Sequence, residues 1–234
     1  MYDLIIDTET APIASNVSIN QLAQNSLVYD IGGVVRDTST GDIIKEFSFV
    51  IAETFYNNNI MESAYYKEKI PTYKEEIQGG NRKVITFKEA RDYIKKLVNF
   101  YNIRAVWAYN VRFDITSLNT TIKRYSNGYV KHFLPYGLKV KDIWARCTNI
   151  TGTKKYVSWC FNNGFVTEKG NPQTSAEIVY RYLIQNNNFV ESHTALEDAK
   201  IEAFILTCAQ RCKKKARKGW GMGYLPAQQI AKTF

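Results

Sequence analysis

Residues 2–10 read YDLIIDTET. Leu4, Ile5 and Ile6 form a short apolar run that ends in two carboxylates, Asp7 and Glu9. Successive side chains of a strand point to opposite faces, so positions i and i+2 share one face. Asp7 and Glu9 therefore project together, ~7 Å apart along a strand that should be central in its sheet. Two carboxylates at the end of a buried strand repel each other and lose hydration. A hard divalent cation relieves both problems, because Mg²⁺ prefers carboxylate oxygens. A strand running into a solvated acidic loop would carry the same pair.

The flanking sequence supplies the rest of a sheet. Residues 27–36 (LVYDIGGVVR) and 43–51 (IIKEFSFVI) are β-branched and aromatic, with Thr-Ser-Thr-Gly-Asp between them. With the first strand they predict a three-strand antiparallel meander. Asn57, Asn58, Asn59, Pro71, Gly79 and Gly80 break residues 53–83 into short helices and loops. Residues 87–101 place Ala90, Ile94, Leu97, Val98 and Tyr101 on one helical face. RAVWAY (104–109) reads as a fourth strand, followed by a helix over about 111–125 with Phe113, Leu118 and Ile122 on its apolar side. Residues 138–143 suit a fifth strand, and 155–163, 175–186 and 195–216 read as helices. The expected architecture is α/β: a mixed five-stranded sheet, the meander plus two parallel strands, flanked by helices.

Composition narrows the classes. The 234 residues are 45% hydrophobic and 23% charged, as in a globular domain with a real core, which leaves out disorder, collagen and coiled coil. No apolar run approaches the ~20 residues of a membrane helix, so no membrane partner is expected. MYDLIIDTET lacks a basic n-region and an h-region, so it is not read as a signal peptide. Cys147, Cys160, Cys208 and Cys212 lack paired metal spacing and are expected to be free thiols in the cytoplasm. The net charge is +9, and it is uneven. Residues 211–218 (RCKKKARK) hold six basic residues, leaving 25 basic against 22 acidic elsewhere, and no acid follows Glu202. Such a segment attracts polyanions, and it also suits a solvated helix end. The division expected is a domain over 1–210 and a basic tail over 211–234, in which Trp220 follows the basic cluster.

Two more stretches carry chemistry. In ESHTALEDAKIEAFIL, Thr194 and Glu197 fit a capping box, making Ala195 the first helical residue. His193 and Asp198 then occupy the two staple positions that meet at a helix start, where apolar residues are common. An imidazole beside a carboxylate offers a general base next to a cation ligand, or a plain surface pair. Leu196, Ala199, Ala203 and Leu206 would anchor this helix. The other histidine, His132, lies in a Lys- and Pro-flanked loop and carries no reading. In the second stretch, Asn110 is a plausible N-cap of the 111–125 helix and Asp114 lies in its first turn, where a negative charge suits the dipole. Residues 55–74 interleave Phe55, Tyr56, Tyr65, Tyr66 and Tyr73 with Lys67, Lys69 and Lys74. An amphipathic cover over the sheet explains that pattern, and so does a stacking platform for a single strand.

Together these stretches resemble the DEDDh branch of the DEDD 3′–5′ exonucleases, which have a ribonuclease H-like fold and include the proofreading subunit of bacterial replicative polymerase. The family's Asp-x-Glu is matched by Asp7 and Glu9, its Asn-x-x-Phe-Asp by Asn110 to Asp114, and its His-x-Ala-x-x-Asp by His193, Ala195 and Asp198. The motifs span residues 4 to about 206 in the family's order. IPTYKEEI, FLPYGLKVKD and ESHTALED are similar to exonuclease-like proteins of bacteriophages. Two departures stand out. Thr10-Ala11-Pro12 replaces the usual Thr-Gly, and Tyr109 replaces a frequent His.

The resemblance implies that Asp7, Glu9, Asp114 and Asp198 hold two Mg²⁺ or Mn²⁺ ions, ~4 Å apart, with His193 as general base. It implies Thr8, Thr10, Asn110 and Phe113 near the terminal nucleotide. The implied activity is hydrolysis from the 3′ end of single-stranded DNA to 5′-nucleotides, in phage DNA replication or repair in the host cytoplasm, with a DNA polymerase as protein partner. RNA as substrate, a ribonuclease H-type endonuclease, and a non-catalytic nucleic-acid- or polymerase-binding module are the alternatives.

Overall fold

The structure, a computed structural model, describes residues 1–13, 18, 21–215 and 225–226. β1 (Tyr2–Pro12), β2 (Ser26–Asp37) and β3 (Ile43–Ile51) form the antiparallel meander. β5 (Ala105–Ala108) runs parallel to β1, and β6 (Lys139–Asp142) parallel to β5. These are the five strands read from the sequence. Two short edge strands extend the sheet. β4 (Lys83–Ile85) lies parallel to β3, and β7 (Leu225–Pro226) lies antiparallel to β6, giving the order β4-β3-β2-β1-β5-β6-β7. Three and two residues are too few to show a period of two, which is why neither was legible.

Helices α1 (Ala52–Phe55), α2 (Asn58–Met61) and α3 (Ile70–Gln78) fill the segment between β3 and β4. Phe55, Met61, Ala64 and Tyr73 turn inward onto Ala11, Tyr29 and Val50, so this segment is a cover. Tyr56 and Tyr65 are exposed. α4 (Phe87–Phe100) and α5 (Val111–Tyr125) bury Ile94, Leu97, Ile115, Leu118 and Ile122 against Leu4 and Ile6. Phe113 lies outside this core and is half-buried. α6 (Ile143–Arg146), α7 (Thr148–Thr151), α8 (Lys154–Asn162), α9 (Ala176–Ile184) and α10 (Ala195–Arg211) cover the other face, onto Ile5, Val34 and Trp107. α10 stops at Arg211, short of the 216 read from sequence, because Cys212 is extended (φ −67°, ψ 125°). Most of the basic tail, Trp220 included, lies outside the described residues. All four cysteines are free. Among the described residues no helix is long and apolar enough to cross a membrane.

The seat of α10 is written along one face of β2. Asp30, Gly32, Val34 and Arg36 alternate along the strand and so share that face. Asp30 Oδ2 accepts from the Ala195 N–H at 3.2 Å. Arg36, fully buried, donates to Thr207 Oγ1 at 2.8 Å and Gln210 Oε1 at 2.7 Å and pairs with Asp3. Between them, Gly32 lets the helix backbone touch the sheet, since a Cβ there would stand 2.1 Å from Leu196 N and 2.2 Å from Ala195 C. Gly32→Ala is therefore expected to lower unfolding free energy by ~2 kcal/mol or more in urea titration. Gly80→Ala, where nothing lies within 4 Å and only φ +75° resists, should lose about 1 kcal/mol. Equal losses would contradict this seat.

Candidate active site

Asp7 and Glu9 lie on the α10 face of β1, opposite Gly32 and Asp30 respectively in the β1–β2 register. α10 brings Asp198 to them, and Asp7, Glu9 and Asp198 each offer an oxygen within 4.8 Å of the others. Asp114 arrives from the other layer. It is buried in the first turn of α5, and its Oδ1 accepts from the Thr8 hydroxyl at 2.9 Å. Thr8 points away from Asp7 and Glu9, and this bond ties the second layer to the first.

These side chains line one open cleft of about 240 Å³, together with His193, Asn110, Phe113, Tyr109, Tyr66, Glu191 and Glu202. Thr10 follows a register shift between Glu9 and Thr10 and is not among the lining residues. The other site residues implied by the sequence, Asp7, Thr8, Glu9, Asn110, Phe113, Asp114, His193 and Asp198, all line the cleft.

The helix starts differ from their sequence readings. Asn110 has a left-handed backbone (φ 62°, ψ 48°) and makes no side-chain cap bond. Asn tolerates that conformation better than most residues. Asp142 Oδ2 accepts from Val111 N instead, at 3.2 Å, while its Oδ1 caps α6 through Ala145 N. The capping box at Thr194 and Glu197 is also not formed. Thr194 makes no cap bond, Asp30 takes the Ala195 N–H, and Glu197 pairs with Lys200. His193 sits just before α10 with a left-handed φ of 54°. Its ring stacks on Tyr66 with centroids 4.3 Å apart and planes 11° apart. Lys69 donates to the Ser192 carbonyl at 2.8 Å, so the cover segment grips this loop twice. Tyr109, in the position where His is frequent, donates its hydroxyl to Thr174 O at 2.5 Å.

The electrostatics are dominated by buried like charge. Desolvation, then Asp198, Asp30 and Asp114, push Glu9 up to about 9. Desolvation and then Glu191 push Asp198 to about 8. Desolvation raises Asp114 to about 7, against the hydrogen bond from Thr8. Asp7 is raised by burial and then by Asp114, Glu202, Glu9 and Asp198. His193 is lowered by partial burial and by Lys69, so its imidazole is neutral at pH 7. Its Nδ1 lies 3.8 Å from Glu191 Oε2, and Glu191, His193 and Asp198 form a second cluster within 4.8 Å.

Sequence reasoning missed Glu191, Glu202, Asp30 and Asp142, and singled out Tyr66 only as one of five aromatics that suit a cover or a stacking platform. Glu202 alone left a local signal, since it lies one helical turn beyond Asp198 and so on the same face. The others reach the site by tertiary contact.

No protein-family model and no curated protein sequence matches this chain. Solved structures do. The nuclease domain of 3′hExo, a DEDDh family member bound to rAMP, is 14% identical, with 93% of this chain and 96% of that one covered and a TM-score of 0.58. A 3′-exonuclease structure on 3′-end specific recognition of histone mRNA stem-loop is also 14% identical, covering 92% and 84% at a TM-score of 0.60. Cell-death related nuclease 4 (CRN-4) is 14% identical, covering 98% and 76% at a TM-score of 0.56. At such identity the likeness is one of fold, and the fold is the ribonuclease H-like α/β architecture of these exonucleases.

Proposed function

We propose that the chain is a metal-dependent 3′–5′ exonuclease that releases 5′-nucleotides from the 3′ end of single-stranded DNA. The observation that carries this reading is the convergence of Asp7, Glu9, Asp114, His193 and Asp198, from three distant stretches, on one open cleft. The cleft residues fit divalent cations. Asp7, Glu9 and Asp198 offer hard oxygens within 4.8 Å of one another, and the buried Asp198 Oδ1 has no hydrogen-bond partner. Together with Asp114 these carboxylates would hold two Mg²⁺ or Mn²⁺ ions. Such ions, when bound, stabilise the charge on the attacking and leaving oxygens at phosphorus.

The protein's own groups do the rest. Neutral His193 accepts the proton of the attacking water. Tyr66 and the Lys69–Ser192 bond hold its loop and ring plane. Thr8 fixes the rotamer of Asp114. Phe113, half-buried at the cleft, is placed to stack on the terminal base, with Asn110 beside it. We further propose, from the likeness of IPTYKEEI, FLPYGLKVKD and ESHTALED to phage exonuclease-like proteins, that the activity serves phage DNA replication or repair, beside a polymerase in the host cytoplasm. The similar structures bound to rAMP or concerned with histone mRNA stem-loop recognition make RNA the second substrate to test.

The test uses 5′-labelled DNA and RNA strands and a circular strand, with Mn²⁺ or EDTA. A cation-dependent ladder shortening from the 3′ end of linear DNA, absent on the circle, is expected. His193→Ala should slow it by ~10²–10⁴-fold, and Asp7→Asn should abolish it. Nicking of the circle would contradict the exonuclease, and tight strand binding without cleavage would make the chain a binding module.

The raised carboxylates also set a pH dependence. A carboxyl whose folded pKa is raised contributes stability that is full below its unfolded value, ~4, and is lost as pH rises through the folded value. Here that window runs up through about 7, 8 and 9 for Asp114, Asp198 and Glu9. The metal-free chain should therefore melt higher at ~pH 5.5 than at ~pH 8.5, and saturating Mn²⁺ should raise the melting temperature chiefly at the higher pH. A melting temperature indifferent to Mn²⁺ at both would contradict a cation site.

A further inference from the structure

The cleft holds a second group of ligand atoms besides the carboxylates of Asp7, Glu9 and Asp198. Glu191, His193 and Asp198 each offer one atom within 4.8 Å of the others. The two groups differ in chemistry. The first is all oxygen, which suits a hard ion such as Mg²⁺ or Mn²⁺. The second includes an imidazole, a ligand that suits Zn²⁺. Asp198 belongs to both.

The geometry of the second group fits an ion better than it fits a hydrogen bond. His193 Nδ1 and Glu191 Oε2 stand 3.8 Å apart, too far for an N–H···O bond. Two donors each ~2.1 Å from one Zn²⁺ ion stand ~3.4 Å apart at the tetrahedral angle, so a small closure of the two side chains would seat one. Asp198 is 9% exposed, and its buried Oδ1 has no hydrogen-bond partner. Such an oxygen is costly unless something positive meets it. The His193 ring is already held in place. Tyr66 stacks on its face, which leaves the ring edge, with both nitrogens, for ligation. Glu191 is tethered through its backbone. Its N–H donates to Glu177 Oε1 at 3.3 Å, and Arg181 pairs with that same oxygen at 2.8 Å.

We propose that Glu191, His193 and Asp198 form a second, overlapping site for an imidazole-seeking divalent cation of the Zn²⁺ class, and that an ion there switches the hydrolytic centre off. The switching rests on the exonuclease reading of the cleft, and the site itself does not. An ion on the His193 lone pair removes the proton acceptor for the attacking water. Its hold on Asp198 also withdraws a carboxylate from the all-oxygen group. Zn²⁺ thus opposes the Mg²⁺ or Mn²⁺ that supports hydrolysis by sharing a ligand and capturing the base.

The test uses the full chain with ¹⁵N-labelled histidine. The chain has two histidines, so ring-nitrogen spectra report two residues, and His193→Gln assigns them. Zn²⁺ is titrated into wild type, Glu191→Gln and Asp7→Asn, with melting temperature as the folding control. In wild type, Zn²⁺ should move the His193 ring nitrogens and leave those of His132 in place. Affinity is read from that shift, and by calorimetry where His193 is replaced. Glu191→Gln should bind ~10-fold or more weakly, at least the loss that removing an outer partner of a metal ligand brings. Asp7→Asn should keep the His193 shift while its Mn²⁺ binding weakens. On labelled strands with Mg²⁺, Zn²⁺ should halt the 3′ ladder, and should do so at higher concentration in Glu191→Gln than in wild type. Zn²⁺ that leaves His193 unmoved, or wild-type affinity in Glu191→Gln, would overturn the site. If Glu191→Gln does not fold, wild-type affinity in His193→Gln overturns it. A saturated His193 shift with an undiminished ladder would overturn the switch alone. Absence of any ladder from wild type with Mg²⁺ would instead overturn the exonuclease reading and the switch with it, while the His193 shift would still establish the site.

Discussion

The structure depends on the contact of one helix with one strand. α10 lies on β2 with its backbone against Gly32, closer than any side chain would allow. Asp30 fixes the helix start through a buried hydrogen bond, and Arg36 fixes its far end through two part-buried ones. Everything the cleft needs from α10 follows from that seat. Asp198 and Glu202 line the cleft beside β1 because the helix cannot roll, and His193 is held where the chain turns into Ala195. Asp30 is also held by Tyr73 at 2.7 Å and Arg82 at 3.0 Å. The cover segment and α10 thus share one buried carboxylate.

The second constraint is electrostatic. Burial and mutual repulsion raise Asp7, Glu9, Asp114, Asp198 and Glu202 together. A fold does not keep such a cluster for stability, since an apolar replacement would pack without the desolvation penalty. The sheet and helix cores on either side are large enough to tolerate it. Strain of this kind, at one end of an otherwise apolar sheet, marks where function sits.

Much of this is legible in the sequence. The period of two placed Asp7 and Glu9 on one face, and apolar periodicity located α4, α5, α9 and α10 to within a few residues at most boundaries. What failed was local capping chemistry. Thr194 and Asn110 looked like caps by type, but Asp30 and Asp142 supply those bonds from 165 and 31 residues away. Local rules cannot see such partners. Phe113 was read both on the apolar side of α5 and, from the resemblance, near a terminal nucleotide; it lines the cleft, because a residue in a first turn can look past the sheet edge. β4 and β7 were too short to read. Tyr66 was one of five aromatics with two meanings. The cover reading fits Phe55 and Tyr73, while Tyr66 alone reaches the histidine.

On the proposed reading, the carboxylates at the end of β1 hold cations against a 3′-terminal phosphodiester. The most direct measurement is anomalous diffraction at the manganese edge, from crystals of the chain grown with Mn²⁺ and a 5′-mononucleotide. The account predicts anomalous density among Asp7, Glu9 and Asp198, with the nucleotide phosphate on that ion and the base against Phe113. Nucleotide bound elsewhere, or this acid cluster empty while Mn²⁺ is present in the crystal, would contradict it.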